Sequence, residues 1–144
     1  MIRLERIGVN INDFEIPDNE GVLKTGAVEP DGPTVRISTL PLERIQQGIL
    51  DAGIPARLSS TAGNFLCNAL LYATLGIIEK QTKTIPAGFI HIPYLPSQVA
   101  GMVESTRMEQ ALELHQRADT ASMALETTVH AIRIAIGHTL KSVQ

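Results

Sequence analysis

Only one cysteine, Cys67, stands among 144 residues, and tryptophan is absent. A lone cysteine makes no internal disulfide, so a reducing, cytosolic compartment is the simplest expectation. Aromatics are scarce, with three Phe and two Tyr, so the core has to be aliphatic. No basic stripe with interleaved aromatics runs along the chain, and the net charge is −3. Nucleic acid therefore lacks its electrostatic footprint. The longest apolar run, NFLCNALLYATLGII, is interrupted by two Asn and is too short to span a bilayer. The start, MIRLERIGVNIND, carries acid early and has no long apolar stretch, so it does not read as a signal peptide. There is no Gly-rich phosphate loop, and no His/Cys/Asp cluster has ligand spacing, which argues against nucleotide and metal sites.

What is present suits one globular domain over residues 1–144, with 44% hydrophobic and 19% charged residues. In RIGVNIND, Ile7, Val9 and Ile11 alternate with small or polar residues, which predicts a strand over Arg6–Asp13. Val22–Pro33 carries Gly26, Pro30 and DGP and reads as an irregular excursion. STLPLERIQQGILDAG predicts a helix with Thr39 as cap, Pro41 in the first turn and Gly53 at the stop. Its apolar stripe is Leu42, Ile45, Ile49 and Leu50. Ile54–Ser60 reads as a short strand, followed by a turn at Ala62-Gly63. A helix from about Asn64 to Glu79 is apolar on nearly every side and should be covered on both flanks. Ala87–Pro96 is an apolar strand ending in a Pro-punctuated turn. Two more helices are expected, a short one at Met108–Gln116 and a longer one at Ala121–Leu140. The longer one has its stripe at Ala121, Leu125, Val129, Ile132, Ile136 and Leu140. The alternation of strands and helices is an α/β order, with a largely parallel sheet and helices on both faces. Three strands are few for such a sheet. Either the Val22–Pro33 excursion adds an edge hairpin, or part of the sheet lies outside this chain.

Cys67 falls within the first turn of a helix that follows a strand and a tight turn. The helix N-terminus favours a thiolate, and its free N–H groups suit a developing oxyanion, so the placement fits attack on an acyl carbon. Placement alone, however, points first to a small buried hydrophobe, the commonest role of a free cysteine. A thiolate mechanism also needs a base. His91 lies in an apolar strand segment, where an imidazole needs a partner, and it reads equally as a satisfied core histidine or as that base. His115 and His130 sit among polar neighbours, and His138 lies near the last helical carbonyls. The base in turn wants an acceptor to orient it, and Glu5 and Asp13, at opposite ends of the first strand, are the rivals.

The segments themselves resemble a known family. LSSTAGNFLCN is similar to the cysteine signature of type I pyroglutamyl peptidases (pyrrolidone-carboxylate peptidases). AGFIHIPYLP is similar to their histidine segment, and LERIGVNINDFEIPDNEG to their glutamate segment. DGPTVRISTLP and ASMALETTV also resemble family stretches, so the likeness runs from Glu5 to about Ile136. It implies Cys67 as nucleophile, His91 as the group that takes and returns the proton, and Glu5 as the orienting acid. It further implies an apolar pocket using Ile16, Phe65 and Leu66. The implied reaction is removal of N-terminal pyroglutamyl residues from peptides through a thioester, without a cofactor. The implied fold is a three-layer α/β/α sandwich around a mostly parallel sheet, in proteins that often form dimers or tetramers.

Two departures from the family pattern bear on activity. The family's N-terminal part, with its first strand and a GFxPFG-like loop, has no counterpart here, so the chain corresponds to the C-terminal two-thirds of the domain. Glu15 stands where the family carries arginine, and an anion there opposes an oxyanion. Asn12 stands where aspartate is frequent. These departures keep open an alternative, an inactive remnant that acts only by associating with partner chains.

Overall fold

Ile-Arg-Leu-Glu at positions 2–5 alternates apolar and charged residues, and this tetrapeptide is the central strand of the main sheet. The structure, a computed structural model, describes residues 1–17, 19–81, 85–108 and 120–143. The elements in chain order begin with β1 Ile2–Glu5, β2 Ile7–Val9, β3 Asn12–Asp13, β4 Thr25–Gly26 and β5 Val35–Ile37. They continue with α1 Leu42–Asp51, β6 Ala56–Ser59, α2 Leu66–Glu79, β7 Phe89–His91, α3 Pro96–Met108 and α4 Leu125–Ser142. The architecture is α/β, as the alternation of patterns predicts. The expected helix at Met108–Gln116 lies, apart from its first residue, outside the described residues, as does His115. Among the described residues no helix is long and apolar enough to cross a membrane.

The main sheet has the order β6-β1-β7. Strand β1 pairs parallel with β6 and antiparallel with β7. Within these strands the sheet is therefore mixed, with an antiparallel edge strand of the kind many α/β sheets carry. The strand expected over Arg6–Asp13 is not continuous. It divides into β2, paired with β5, and β3, paired with β4. The break sits at Asn10, whose amide is spent on another segment. Its Nδ2 donates to the Glu29 and Gly32 carbonyls (2.8 and 3.2 Å), and its Oδ1 accepts from the Glu29 N–H (2.9 Å). The Val22–Pro33 excursion adds no edge hairpin to the main sheet among the described residues: its β4 pairs with β3 in a separate two-stranded ladder. The buried residue of β2 is Gly8, while Ile11 is exposed.

One face of the main sheet carries the core. Ile2, Leu4 and Ala56 pack with Leu42, Ile45 and Ile49 of α1 and Ala131 and Ala135 of α4. Each such Leu or Ile contributes roughly 1.5–3 kcal/mol by leaving water. Helix α1 ends as expected at Gly53, which has φ +73°. Two expectations for this helix fail. Leu50 is exposed, and Thr39 does not cap: its hydroxyl accepts the Ala87 N–H (2.8 Å) and so ties β7's approach to α1. Helix α4 also differs, because the expected large stripe faces outward. Leu125, Val129, Ile136 and Leu140 are exposed, while Thr128, Ala131 and Ala135 are buried. The reason is close approach. A Cβ added to Gly48 of α1 would lie 2.4 Å from His138 Nε2 and 3.0 Å from Ile134 Cγ2 of α4. Small residues on both helices let them touch, and His138 packs over Gly48. His130 is exposed, as expected.

Helix α2 is bolted to the β2–β5 ladder by polar groups. Asn68, fully buried, accepts from the Val9 N–H (2.8 Å) and donates to the Val9 and Ile11 carbonyls (2.8 and 3.0 Å). A Cβ on Gly8 would come within 2.9 Å of the Tyr72 backbone, so only glycine admits the helix at this distance. One turn on, Tyr72 donates its hydroxyl to the Pro33 carbonyl (2.6 Å) and lays its ring 4.1 Å from Arg36 Cζ. Arg36 is buried and paired with Glu29 (2.6 Å) and Glu79 (2.9 Å). Burial works against its charge, but the two carboxylates outweigh it and hold its pKa raised. Burial pushes the Tyr72 phenol up. Helix α2 is not covered on both flanks as its composition predicts. It buries only the side facing β2 and β5, and Leu66, Leu70 and Ile77 are exposed.

Two predictions follow from this docking. Asn68→Ala leaves one N–H and two carbonyls without their partner, at about 1–3 kcal/mol for each group that water does not reach. A loss of at least ~2 kcal/mol is expected in urea unfolding, and wild-type stability would contradict the anchoring role. The second concerns acid. Hydrogen bonds from Arg36 and then Lys80 hold the Glu29 carboxyl below the ordinary glutamate range. A depressed carboxyl adds stability that is present above its unfolded-chain value, roughly pH 4.3, and is lost as pH falls through the folded value. The melting temperature of the wild type should therefore drop more steeply below about pH 4.3 than that of Glu29→Gln. Parallel acid profiles would remove the effect.

Candidate active site

Two of the candidate segments, β1 and β7, meet on one face of the main sheet. On β1, Ile2 and Leu4 enter the core, so period two sends Arg3 and Glu5 to the opposite face. On β7, Phe89 stands opposite Glu5 and His91 opposite Arg3. The diagonal between Glu5 and His91 is within reach of long side chains. His91 Nδ1 lies 2.7 Å from Glu5 Oε1. A carboxylate only accepts, so Nδ1 carries the proton and Nε2 is the nitrogen left to exchange one. Glu5 is 0% exposed, and its second oxygen, Oε2, is buried without a hydrogen-bond partner among the described residues. Phe89 flanks the imidazole edge-on, with ring centroids 4.9 Å apart. Of the two rival acids, Glu5 is thus the one that meets the histidine. Asp13 instead accepts from Asn64 Nδ2 (3.1 Å), and its N–H donates to the Asn64 carbonyl (3.0 Å), which holds the loop before α2.

Cys67 is the second residue of α2, partly exposed and unpaired. The turn before it is set by Gly63 at φ +87° and by the Thr61 hydroxyl, which accepts the Gly63 N–H (3.0 Å). Phe65 stands at the N-cap with extended backbone and no side-chain cap, so among the described residues the first N–H groups of α2, near Cys67, have no capping partner. Among the described residues no hydrogen bond joins Cys67 Sγ to His91. Such contacts are often loose without substrate and tighten in the complex.

Ile16, Phe65 and Leu66 come together. With Pro17, Asn19 and Glu20 they line an open cavity of about 470 Å³. Phe65 is held there by an edge contact with the buried Phe14, at 4.3 Å between centroids. Glu15 is exposed beside this cavity's Ile16. Sequence reasoning missed Asn68, which lies next to Cys67 and fixes its turn against β2. A polar residue on the inward side of an apolar helix was the available signal. It also missed β1 itself, whose four-residue alternation is short.

Comparison with known proteins agrees with this arrangement. The family model described as pyroglutamyl peptidase matches residues 1–142. A pyrrolidone-carboxylate peptidase of Fusobacterium nucleatum is 43% identical over 136 residues, covering 94% of this chain and 56% of that protein. One from Brevibacillus brevis is 39% identical over 140 residues, covering 96% of this chain and 58% of that protein. Among solved structures, the pyrrolidone carboxyl peptidase of the hyperthermophile Pyrococcus furiosus superposes with a TM-score of 0.85 at 33% identity. That superposition covers 99% of this chain and 64% of the other. The chain thus spans somewhat more than half the length of the curated relatives it matches. A cysteine at a helix start, a buried acid–histidine pair and a whole-length family match converge: this chain belongs to the pyroglutamyl peptidase family.

Proposed function

We propose that this protein is a cysteine peptidase that removes N-terminal pyroglutamyl residues from peptides. The observation that carries the reading is the 2.7 Å contact between His91 and the fully buried Glu5. In this mechanism Cys67 Sγ gives its proton to His91 Nε2 and attacks the pyroglutamyl carbonyl carbon. The free N–H groups at the start of α2 hold the oxyanion. The imidazolium, oriented by Glu5, then protonates the leaving amine, and the C–N bond breaks to give a thioester. Water, deprotonated by the same nitrogen, hydrolyses the thioester and restores the thiol. The pyrrolidone ring, small and uncharged, fits the cavity of Ile16, Phe65 and Leu66, whose walls offer apolar contact.

The alternative, an inactive remnant, is disfavoured by the likeness to named peptidases over nearly the whole of this chain and by the intact Glu5–His91 pair. The exposed apolar side chains of α4, among them Leu125, Ile136 and Leu140, support self-association as a dimer or tetramer. A single unpaired cysteine supports a cytoplasmic setting.

Release of a fluorophore from a pyroglutamyl conjugate tests the reading. Cys67→Ser should abolish turnover, and His91→Ala should lower kcat by about 10²–10⁴-fold, the usual weight of a general acid–base. Glu5→Gln should lower kcat while leaving KM nearly unchanged, because it misaligns the imidazole rather than the pocket. Turnover that survives Cys67→Ser would exclude the mechanism.

A further inference from the structure

The sheet face that carries Glu5 and His91 carries a second arrangement. Arg3 stands opposite Arg57 across β1 and β6, and opposite His91 across β1 and β7. Three basic side chains therefore occupy one rung. Like charges placed directly opposite one another weaken a sheet, so the row is costly in isolation. Glu5 relieves it only in part: its Oε1 is 2.7 Å from His91 Nδ1 and 3.9 Å from Arg3 Nε. Among the described residues Arg57 has no ion-pair partner and is exposed. The row borders an open cavity of about 480 Å³, whose wall includes Ile92, Pro93 and Tyr94. None of the described residues lining it is acidic. Two guanidinium groups beside an aromatic wall match the planar fork of a carboxylate.

The position of the cavity indicates which carboxylate. It shares no lining residue with the cavity of Ile16, Phe65 and Leu66, and His91 belongs to it. In the reaction above, His91 hands its proton to the leaving amine, so whatever that amine carries departs past the imidazole. We propose that Arg3 and Arg57 form a subsite for a carboxylate on the leaving side of the substrate. That carboxylate is either the side chain of an acidic residue directly after the pyroglutamyl group or the free C-terminus of a pyroglutamyl dipeptide. The assignment of the leaving side rests on the peptidase reading, whereas the affinity for a carboxylate does not.

Three dipeptides separate the two sources: pyroglutamyl-glutamate with its C-terminus amidated, pyroglutamyl-glutamine as the free acid, and neutral pyroglutamyl-glutamine amide. At least one acid should be cleaved with kcat/KM about tenfold above the neutral amide, the worth of one charge-assisted hydrogen bond, with the difference in KM. The acid-to-neutral ratio should fall towards one in Arg3→Gln/Arg57→Gln and in high salt, and Arg57→Lys should retain part of it. Equal handling of all three peptides by the wild type, or a preference that survives the double substitution, overturns the subsite. If nothing is cleaved, the peptidase reading fails, and calorimetry with Cys67→Ser decides the subsite separately. Tighter binding of an acid than of the amide, lost with both arginines, sustains it. Equal affinities overturn it.

Discussion

A glutamate with no exposure to water sits on the central strand, and the site is organised by its need for a donor. Burying an unpaired carboxylate is among the costliest acts in folding. Glu5 meets that cost with His91, brought from 86 residues away by the pairing of β1 with β7. The contact therefore ties the register of an edge strand to the chemistry of the site. A one-residue slip would send every side chain of β7 to the opposite face. Ile90 would then leave the core and His91 would lose its acceptor, so stability and alignment are served by the same register.

Helix α2 is placed by a different device. It has little amphipathic pattern, so burial alone would not select one rotation about its axis. Asn68 selects it, with three short hydrogen bonds to the β2 edge, and Gly8 and Tyr72 set the distance. Because Asn68 follows Cys67, the cysteine is aimed by the residue next to it. Farther along, the Arg36–Glu29–Glu79 cluster under Tyr72 holds the same helix against β5. Arg36 is the buried member of this cluster, and removing either carboxylate from it would leave a buried charge less well paired.

Two open cavities differ in character. One, beside Cys67, is apolar along Ile16, Phe65 and Leu66 and suits an uncharged ring. The other, beside His91, is basic along Arg3 and Arg57. His91 lines the second cavity and not the first.

Much of this was legible in one dimension. Local patterns determined α1, with its glycine stop, the short strand before Cys67, the α2 helix and the α/β order, because periodicity and turn chemistry are properties of neighbouring residues. The three site segments could be picked out by motif, in their order along the chain. Other features were decided only in three dimensions. That Glu5 rather than Asp13 faces His91 follows from strand register. That α4 buries alanines and turns its large stripe outward follows from how closely Gly48 lets two helices approach. The strand expected through Asn10 breaks because that amide bonds a turn some twenty residues away. In each case the deciding partner is distant in sequence, and no window of neighbouring residues contains it.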